Sequence, residues 1–352
     1  MRLLLITARS DFGGGPRHVD QLIDNLSSNF EIFAAYPYQS DPYGKKWDNE
    51  SRIIKQFPLP YRKFSIKTLL ELRKFIEENK IDIIHSHGNG AGFYSRLLKL
   101  IGTKAKVIHT FHGVTTNYTS VLKKLVNTFS GILFRHFTDY FICVSKGEYA
   151  QALKNGFLIP AKSKIIYNGI EEFKGIRQKP SQFNVVTLSR FDYQKNMDKA
   201  LEIARLLKNE DIQFTWVGDG PDFNRLKETA SKEKLNINFT GFSREPFKHL
   251  QTSSVYLSTA RFEGLPYALI EASSIGLPVV ATNVIGNNEA VEEGKSGFLF
   301  NTNEEAVEYI LRLKKNPKLY QEMSTQSKIF FENNFTLKKM IDELVELYQD
   351  LC

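Results

Sequence analysis

Two glutamates eight positions apart, Glu263 and Glu271, stand in the stretch RFEGLPYALIEASSIGLPVVATN. Each carboxylate oxygen accepts two hydrogen bonds, so such groups bind vicinal hydroxyls well. One of the pair could hold a sugar and the other a ribose. Arg190 and Lys195, five positions apart in LSRFDYQKN, offer one forked and one mobile point charge, a set that suits a diphosphate. Gly13, Gly14 and Gly15 in SDFGGGPRHV let the backbone approach a ligand closely, and amides at a following helix start attract an anion. Gly218 in WVGDGP marks a further strand-end turn, and Gly241–Phe242 in TGF another, where backbone groups could hold a base. Taken singly, each of these is also ordinary turn chemistry or a solvated charge. Their weight lies in their combination and in where the chain places them.

The elements that must position these residues follow from the hydrophobic pattern. RLLLITA, FEIFAAYP, IDIIHSHG, KVIHTFHG, YFICVS and SKIIYNGI read as strands. Between them PRHVDQLIDNLSS, SIKTLLELRKFIEENK, AGFYSRLLKLIG and KGEYAQALKNGF carry apolar residues at helical spacing. The segment 171–183, EEFKGIRQKPSQF, is polar and reads as a linker. The alternation then restarts with strands NVVTLSR, IQFTWVGDG, INFTG, VYLSTA, PVVATN and GFLF, again with helices between them. Strands that are apolar throughout and alternate with helices predict parallel, doubly wound sheets. The α/β reading is therefore two Rossmann-like domains, residues 1–172 and 173–335, with a C-terminal helix of about 336–352 that is free to pack back on the first. In such sheets ligands bind beyond the carboxyl ends of the strands, where Gly13–Gly15, Arg190, Lys195, Gly218, Gly241 and Glu263 all fall.

Composition sets bounds. A chain of 352 residues suits two domains. No run of some eighteen apolar residues predicts a transmembrane helix, and the apolar start MRLLLITARS is short enough, and followed so directly by glycines, that it reads as a first buried strand. Two cysteines give neither a disulfide framework nor a metal cluster, which fits a cytoplasmic protein. The net charge of +8 is uneven: residues 1–172 hold 24 Lys/Arg against 15 Asp/Glu, while the remainder holds 23 against 24. The 56 residues between Asp82 and Asp139 carry seven bases and no acid. An excess placed this way invites an anionic partner for the first domain, above all a membrane surface.

The set resembles the retaining glycosyltransferases of the GT-B fold, family 4 type, in which many members build bacterial surface polysaccharides. The resemblance covers nearly the whole chain. Its most specific element is FEGLPYALIEASSIGLPVVAT with the family's pair of glutamates, here Glu263 and Glu271; Arg190 and Lys195, the glycine-rich loop followed by Arg17–His18, YNGI with Asn168, and IGNNEAVEEGKSGFLF with Glu289 also match.

What the resemblance implies can be set out by residue. Glu263 would contact the donor sugar near the reacting face, and Glu271 the ribose. Arg190 and Lys195 would neutralise the diphosphate, aided by the amides of Gly13–Gly15. Gly218, Gly241, Phe242 and the loop Gly264–Leu265–Pro266 would complete the nucleotide-sugar site. His112 in HTFHG would reach the sugar from the first domain, which leaves His109 a structural role, while Arg17, His18, Asn168 and Glu289 would lie on the acceptor or sugar side. The two domains would face each other across a cleft. Transfer would retain anomeric configuration by same-face attack, with no metal and no cofactor besides the donor, since no Asp-x-Asp triplet occurs and fixed cations can serve the leaving group. A hexose or N-acetylhexosamine carried on UDP is the expected donor, with GDP as the other nucleotide the pattern allows. The acceptor would be a glycan, lipid-linked by preference, and nucleic acid is not an expected partner. The loop departs from the family in carrying Pro16, and NNEAV (287–291) replaces the commoner Gly-x-Pro-Glu.

Three other classes are weaker. A UDP-sugar epimerase shares the fold but its motifs are not evident. An NAD enzyme needs a GxGxxG and an acid after the second strand, both missing. A non-enzymatic protein that binds nucleic acid or another anion would explain the basic half but not the carboxylate pair.

Finally, 120–137, SVLKKLVNTFSGILFRHF, mixes Lys123, Lys124 and Arg135 with Leu122, Leu125, Val126, Phe129, Leu133, Phe134 and Phe137 at helical spacing, as a helix lying in a membrane interface would. YRKFSIKTLLELRKF (61–75) offers a second contact of the same kind.

Overall fold

The structure is a computed structural model. It describes every residue except Ser27, residues 115–120, Lys179 and Cys352, and at positions 121–124, 126 and 127 the backbone alone. The chain divides into two units: Met1–Asn168 with Met340–Cys352, and Gly169–Lys339.

The first unit is built on seven parallel strands: β1 Arg2–Thr7, β2 Glu31–Tyr36, β3 Ile53–Pro58, β4 Ile83–His87, β5 Lys106–Thr110, β6 Tyr140–Cys143 and β7 Ser163–Ile165, in the order β3-β2-β1-β4-β5-β6-β7. Residues 3–7 of β1 and all of β4 are buried on both faces: Leu3–Ile6 is an unbroken apolar run, whereas β4, IIHSH, also buries His85, Ser86 and His87. The helix Gly14–Leu26 returns over the sheet with Val19, Leu22, Ile23 and Leu26 buried, one face of a 3.6-residue repeat. It begins inside the glycine run, so Gly14, Gly15 and the buried Pro16 form its first turn rather than a loop before it. Proline is tolerated there because the first amides of a helix have no partner within it. The C-terminal helix Leu337–Asp350 contributes Tyr348, fully buried in this unit, whose hydroxyl lies 2.6 Å from His85 Nδ1.

The second unit carries six parallel strands: β8 Asn184–Leu188, β9 Gln213–Val217, β10 Ile237–Gly241, β11 Val255–Ser258, β12 Val279–Thr282 and β13 Gly297–Phe300, ordered β10-β9-β8-β11-β12-β13. Counted within the unit this is 3-2-1-4-5-6, the same order as the first six strands of the other sheet. Val185, Trp216, Leu257 and Val280 are buried together with Ile203 and Ile310 of flanking helices. The segment read as a linker is anchored to this unit at Arg177, whose Nη1 donates to Gly276 O at 2.9 Å and whose Nη2 donates to Ser253 O at 2.9 Å. Among the described residues no helix is long and apolar enough to cross a membrane.

Candidate functional site

In the second unit the strand ends gather charge. Strand β8 delivers Ser189 and Arg190, and the turn that follows carries Asp192, Gln194 and Lys195. Strand β11 delivers the loop with Glu263. Lys195 Nζ meets Glu263 Oε1 at 2.5 Å, although the two are 68 residues apart. The Glu263 side chain keeps 9% of its exposure and that of Lys195 23%, so the pair is largely out of water. Gln194 joins it: Nε2 donates to Glu263 Oε2 at 3.3 Å and to Phe262 O at 3.1 Å, while its Oε1 accepts from Arg190 Nη2 at 3.3 Å. Arg190 is ion-paired with Asp192 at 2.9 Å, and Asp192 also accepts the Lys195 amide at 3.1 Å. Arg190, Lys195 and Glu263 therefore form one connected network.

Two glycines fix its walls. A side-chain carbon at Gly218 would lie 1.8 Å from Ser189 O, and a φ of +139° suits only glycine, so the turn after β9 can press against the end of β8. At Gly286, φ +86°, such a carbon would lie 2.5 Å from Gly264 O and 2.9 Å from Glu263 Cβ; the bare backbone here lets the loop before Asn287 support Glu263. A small pocket is lined by Thr187, Ser189, Lys195, Tyr256, Glu263 and Leu269. Tyr256 is buried with its hydroxyl donated to Leu188 O at 2.9 Å, and burial holds it far above the usual phenol range, so it acts as a neutral group. Glu271 sits in the helix Tyr267–Ser274 and is 4% exposed, a buried carboxylate. Leu265 is buried and Pro266 is the residue before that helix. Gly241 ends β10 at φ +74°, and the Phe242 ring beside it is 47% exposed. Glu289 lies in the short helix Asn287–Ala290 and is half-buried.

In the first unit the strand ends gather imidazoles instead. His112 follows β5 with φ +59°, a conformation rare outside glycine that tends to mark functional positions. Its Nε2 lies 3.1 Å from His87 Nδ1, so one ring donates and the other accepts. His18, from the first helix, meets the His112 ring edge-on at 4.9 Å and has its Nδ1 3.2 Å from Asn168 Oδ1. His112 Cδ2 is 3.6 Å from where a side chain at Gly15 would begin, so the glycine run and His112 are neighbours. Gly13 lies against Arg9, whose guanidinium is ion-paired with Asp11 at 2.8 Å. Arg17 is half-buried in the same helix turn. The buried carboxylate of Glu148 holds the His112 turn from behind: it accepts the Gly113 amide through Oε1 and the Val144 amide, at 2.7 Å, through Oε2.

Burial pushes His18 down to about 4, partly opposed by Asn168. His85, His87, His109 and His112 are also held well below the usual imidazole range, by burial first and by neighbouring cationic or imidazole groups second. The cluster is therefore neutral near pH 7. Among the described residues it is not arranged as a metal site. His109 faces Ser86 Oγ, 3.1 Å from its Nδ1, and packs over the helix Gly88–Leu100 at Gly92.

The comparisons with known proteins bear on this arrangement. A model described as Glycosyltransferase Family 4 matches residues 12–172, and one described as Glycosyl transferases group 1 matches residues 169–330. The chain belongs to the family 4 type of GT-B glycosyltransferases. Among its relatives is UDP-Gal:alpha-D-GlcNAc-diphosphoundecaprenol alpha-1,3-galactosyltransferase of Escherichia coli, 28% identical over 81% of this chain and 80% of that one. Another is the capsular polysaccharide biosynthesis glycosyltransferase CapH of Staphylococcus aureus, 27% identical over 84% of this chain and 85% of that one. Among solved structures, Anabaena HepE in complex with UDP-glucose matches with a TM-score of 0.84 at 17% identity, over 99% of this chain and all of that one, a likeness of fold.

In this glycosyltransferase the fold brings Arg190, Lys195 and Glu263 together, and Gly15, His18, Asn168 and His112 likewise. The sequence did not point to Gln194 and Asp192, which tie the cations to the carboxylate, nor to His87 and Glu148, which hold His112. Gln194 and Asp192 lie inside the quoted RFDYQKN, and His87 inside IDIIHSHG. The signal was present, but the contacts that give it meaning span tens of residues.

Proposed function

We propose that the protein transfers a hexose or N-acetylhexosamine, with retention of configuration, from a UDP-sugar to a lipid-linked glycan acceptor in the synthesis of a bacterial surface polysaccharide. The Lys195–Glu263 pair, bridged through Gln194 to Arg190, is the observation that carries this reading. The ammonium has three donors, enough to serve Glu263 and a phosphate oxygen together. As the bond from the anomeric carbon to the diphosphate breaks, negative charge collects on the leaving oxygen, and the fixed cations stabilise it without a metal. The acceptor hydroxyl attacks from the same face and gives its proton to the departing phosphate. Glu263, held by Lys195 and Gln194, is suited to accept hydroxyls of the sugar. Glu271 takes the ribose, Gly218, Gly241 and Phe242 flank the base and diphosphate, and His112, neutral and firmly held, contacts the transferred sugar.

The relatives support the acceptor class: one is named for a diphosphoundecaprenol-linked GlcNAc and another for capsule synthesis. UDP is favoured by the named donor of the first and by the ligand of the HepE structure. Use of such an acceptor suits a peripheral protein at the cytoplasmic face of the membrane.

The test is a panel of UDP- and GDP-hexoses and N-acetylhexosamines, offered with a GlcNAc-diphospholipid in EDTA. Transfer from a UDP-sugar with an α-linked product by NMR is expected. An inverted product, dependence on a divalent ion, or epimerised donor without transfer would each overturn the corresponding part of the reading.

A further inference from the structure

A cleft of about 320 Å³ opens in the first unit beside the His112 turn, between Arg62–Phe64, the helix Gly88–Leu100 and the helix Val121–Phe134. Its walls are of two kinds. Phe64, Phe93 and Phe134 form a row of edge-to-face rings, with centroids 4.9 and 5.3 Å apart, and Phe111 and Phe157 also line it. Arg62, Lys63 and Arg96 supply positive charge, and among the described residues no Asp or Glu lines the space.

Arg96 is the informative residue. It is only 9% exposed, its Nε donates to Thr138 Oγ1 at 3.1 Å, and its guanidinium stands 5.9 Å from the centre of the Phe141 ring. Among the described residues no carboxylate pairs with it, and burial lowers its pKa to about 10. A buried cation is ordinarily paired, because taking a charge out of water is costly unless a counter-charge or hydrogen bonds replace the solvent. Here Arg96 lines the cleft. Arg62 and Lys63 at its mouth are likewise without a carboxylate partner among the described residues. Arg62 is held at φ +51° with its amide donated to Ala8 O, a strained backbone of the kind found at ligand clamps. Cations without acids, beside a wall of phenyl rings, select an anion that carries an apolar chain.

The geometry points to a site for the prenyl diphosphate portion of the acceptor, with phosphate oxygens on Arg62, Lys63 and Arg96 and the first isoprenoid units against Phe64, Phe93 and Phe134. This assignment rests on the lipid-linked acceptor proposed above and says where in the chain that lipid is read. It also gives the exposed apolar residues of the same two segments a purpose: Tyr61 and Leu70 on one, Phe129 and Leu133 on the other are 43%, 56%, 71% and 48% exposed, and would keep the chain's remainder in lipid.

Farnesyl diphosphate is a soluble probe of this site. Calorimetry on the full chain should detect its binding, with inorganic diphosphate and farnesol each binding at least tenfold more weakly. Arg62→Ala with Lys63→Ala, both on the surface and safe for folding, should weaken the probe tenfold or more, as should Phe134→Ala, while affinity for UDP stays unchanged. In steady state the same variants should raise KM for the GlcNAc-diphospholipid tenfold with kcat near that of the parent. Unchanged KM and unchanged farnesyl diphosphate affinity, in an enzyme that does use the lipid-linked acceptor, would remove the cleft from the site and leave the acceptor reading standing. A parent enzyme that serves only soluble glycans and ignores farnesyl diphosphate would overturn both. Equal affinity for inorganic diphosphate and the probe would overturn the role of the phenyl wall.

Discussion

The two sheets share one strand order and use it for opposite chemistry. At the strand ends of the second unit, Arg190, Asp192, Lys195 and Glu263 make a network of full charges, half out of water. At the strand ends of the first, His18, His87 and His112 make a cluster that burial keeps neutral. Topology places ligand sites beyond the carboxyl ends in both, but only the side chains decide what is bound there. A charged network suits a donor whose leaving group is a diphosphate. A neutral cluster suits a sugar or an acceptor hydroxyl, which needs directed hydrogen bonds and no field. The comparison can be broken at either end.

The largest effect is expected at the charged end. Lys195→Ala should lower transfer by roughly 10²- to 10³-fold, since it removes a cation from the leaving group and also strands Glu263 with little exposure. Arg190→Ala should act in the same direction and less strongly, because Arg190 is more exposed and is shared with Asp192. Release of UDP from a labelled donor measures both. Turnover within a few-fold of the parent, in a folded Lys195 variant, would detach the network from catalysis.

Acid should separate the units next. A histidine whose folded pKa lies below its unfolded value of about 6.5 binds its proton more readily when unfolded. Its contribution is complete above that value and is lost as pH falls toward the folded pKa. For His18, pushed down to about 4, the loss amounts to about 3 kcal/mol across that window. His85, His87, His109 and His112 shift in the same direction and add to it. The second unit holds no such cluster among the described residues. Each unit contains one fully buried tryptophan, Trp47 in the first and Trp216 in the second. With Trp216→Phe the remaining fluorescence reports the first unit, and with Trp47→Phe the second. Below pH 6 the Trp47 signal should unfold at progressively lower denaturant while the Trp216 signal moves little; parallel losses would mean that the cluster is not what makes the first unit acid-sensitive.

The fold was largely legible because many strands carry short buried apolar runs, such as Leu3–Ile6, Ile32–Tyr36 and Val279–Ala281. Strand β3, IIKQFP, went unread, and it is an edge strand buried only at Ile53 and Phe57, whose last residue is a proline. Lys55 and Gln56 belong on an edge that must not pair further, and they hide the strand from a reading that looks for continuous apolar runs. In the segment read as a linker, EEFKGIRQKPSQF, polarity has a second cause that the pattern does not show: Arg177 binds the carbonyls of Gly276 and Ser253. At the site, residue types and spacing pointed to Arg190, Lys195 and Glu263, and the family resemblance to His112. Gln194 and His87 escaped because a bridging role is defined only by what lies on either side of it in space. The interfacial helix was legible as a pattern, yet Leu122, Lys123, Lys124 and Val126 lie outside the described side chains; of the others, Leu125, Phe129 and Leu133 are exposed, while Phe134 and Phe137 are half-buried.

The two glutamates sharpen the comparison within the second unit. Glu271→Ala should weaken free UDP about tenfold, the scale of a lost hydrogen bond to a charged group. Glu263→Gln should leave UDP affinity near that of the parent and damage transfer, because its partner is the sugar. His112→Ala, in the neutral cluster, should follow Glu263→Gln. Calorimetry with UDP beside initial rates gives both readings, and equal loss of UDP affinity in the two glutamate variants would contradict the division of labour.

The smallest effect concerns the outer face of the first unit, where the comparison is between a basic surface with exposed apolar residues and a second unit that is close to neutral. Leu125, Phe129 and Leu133 project from one helix at 62%, 71% and 48% exposure, at four-residue spacing consistent with one face. Substituting them costs little stability, since little of them is buried. Insertion into the boundary of a bilayer would remove that apolar surface from water, and each basic residue near an anionic leaflet adds about 1 kcal/mol. Phe129→Ser with Leu133→Ser should therefore reduce co-sedimentation with anionic vesicles by roughly three- to tenfold, on the scale of partly exposing apolar side chains, with the melting temperature unchanged. High salt should weaken binding of the parent and the variant alike, because it screens the basic surface that both retain. If the parent stays in solution with anionic vesicles at low salt, these residues do not serve a membrane, and a soluble acceptor would better match the first unit.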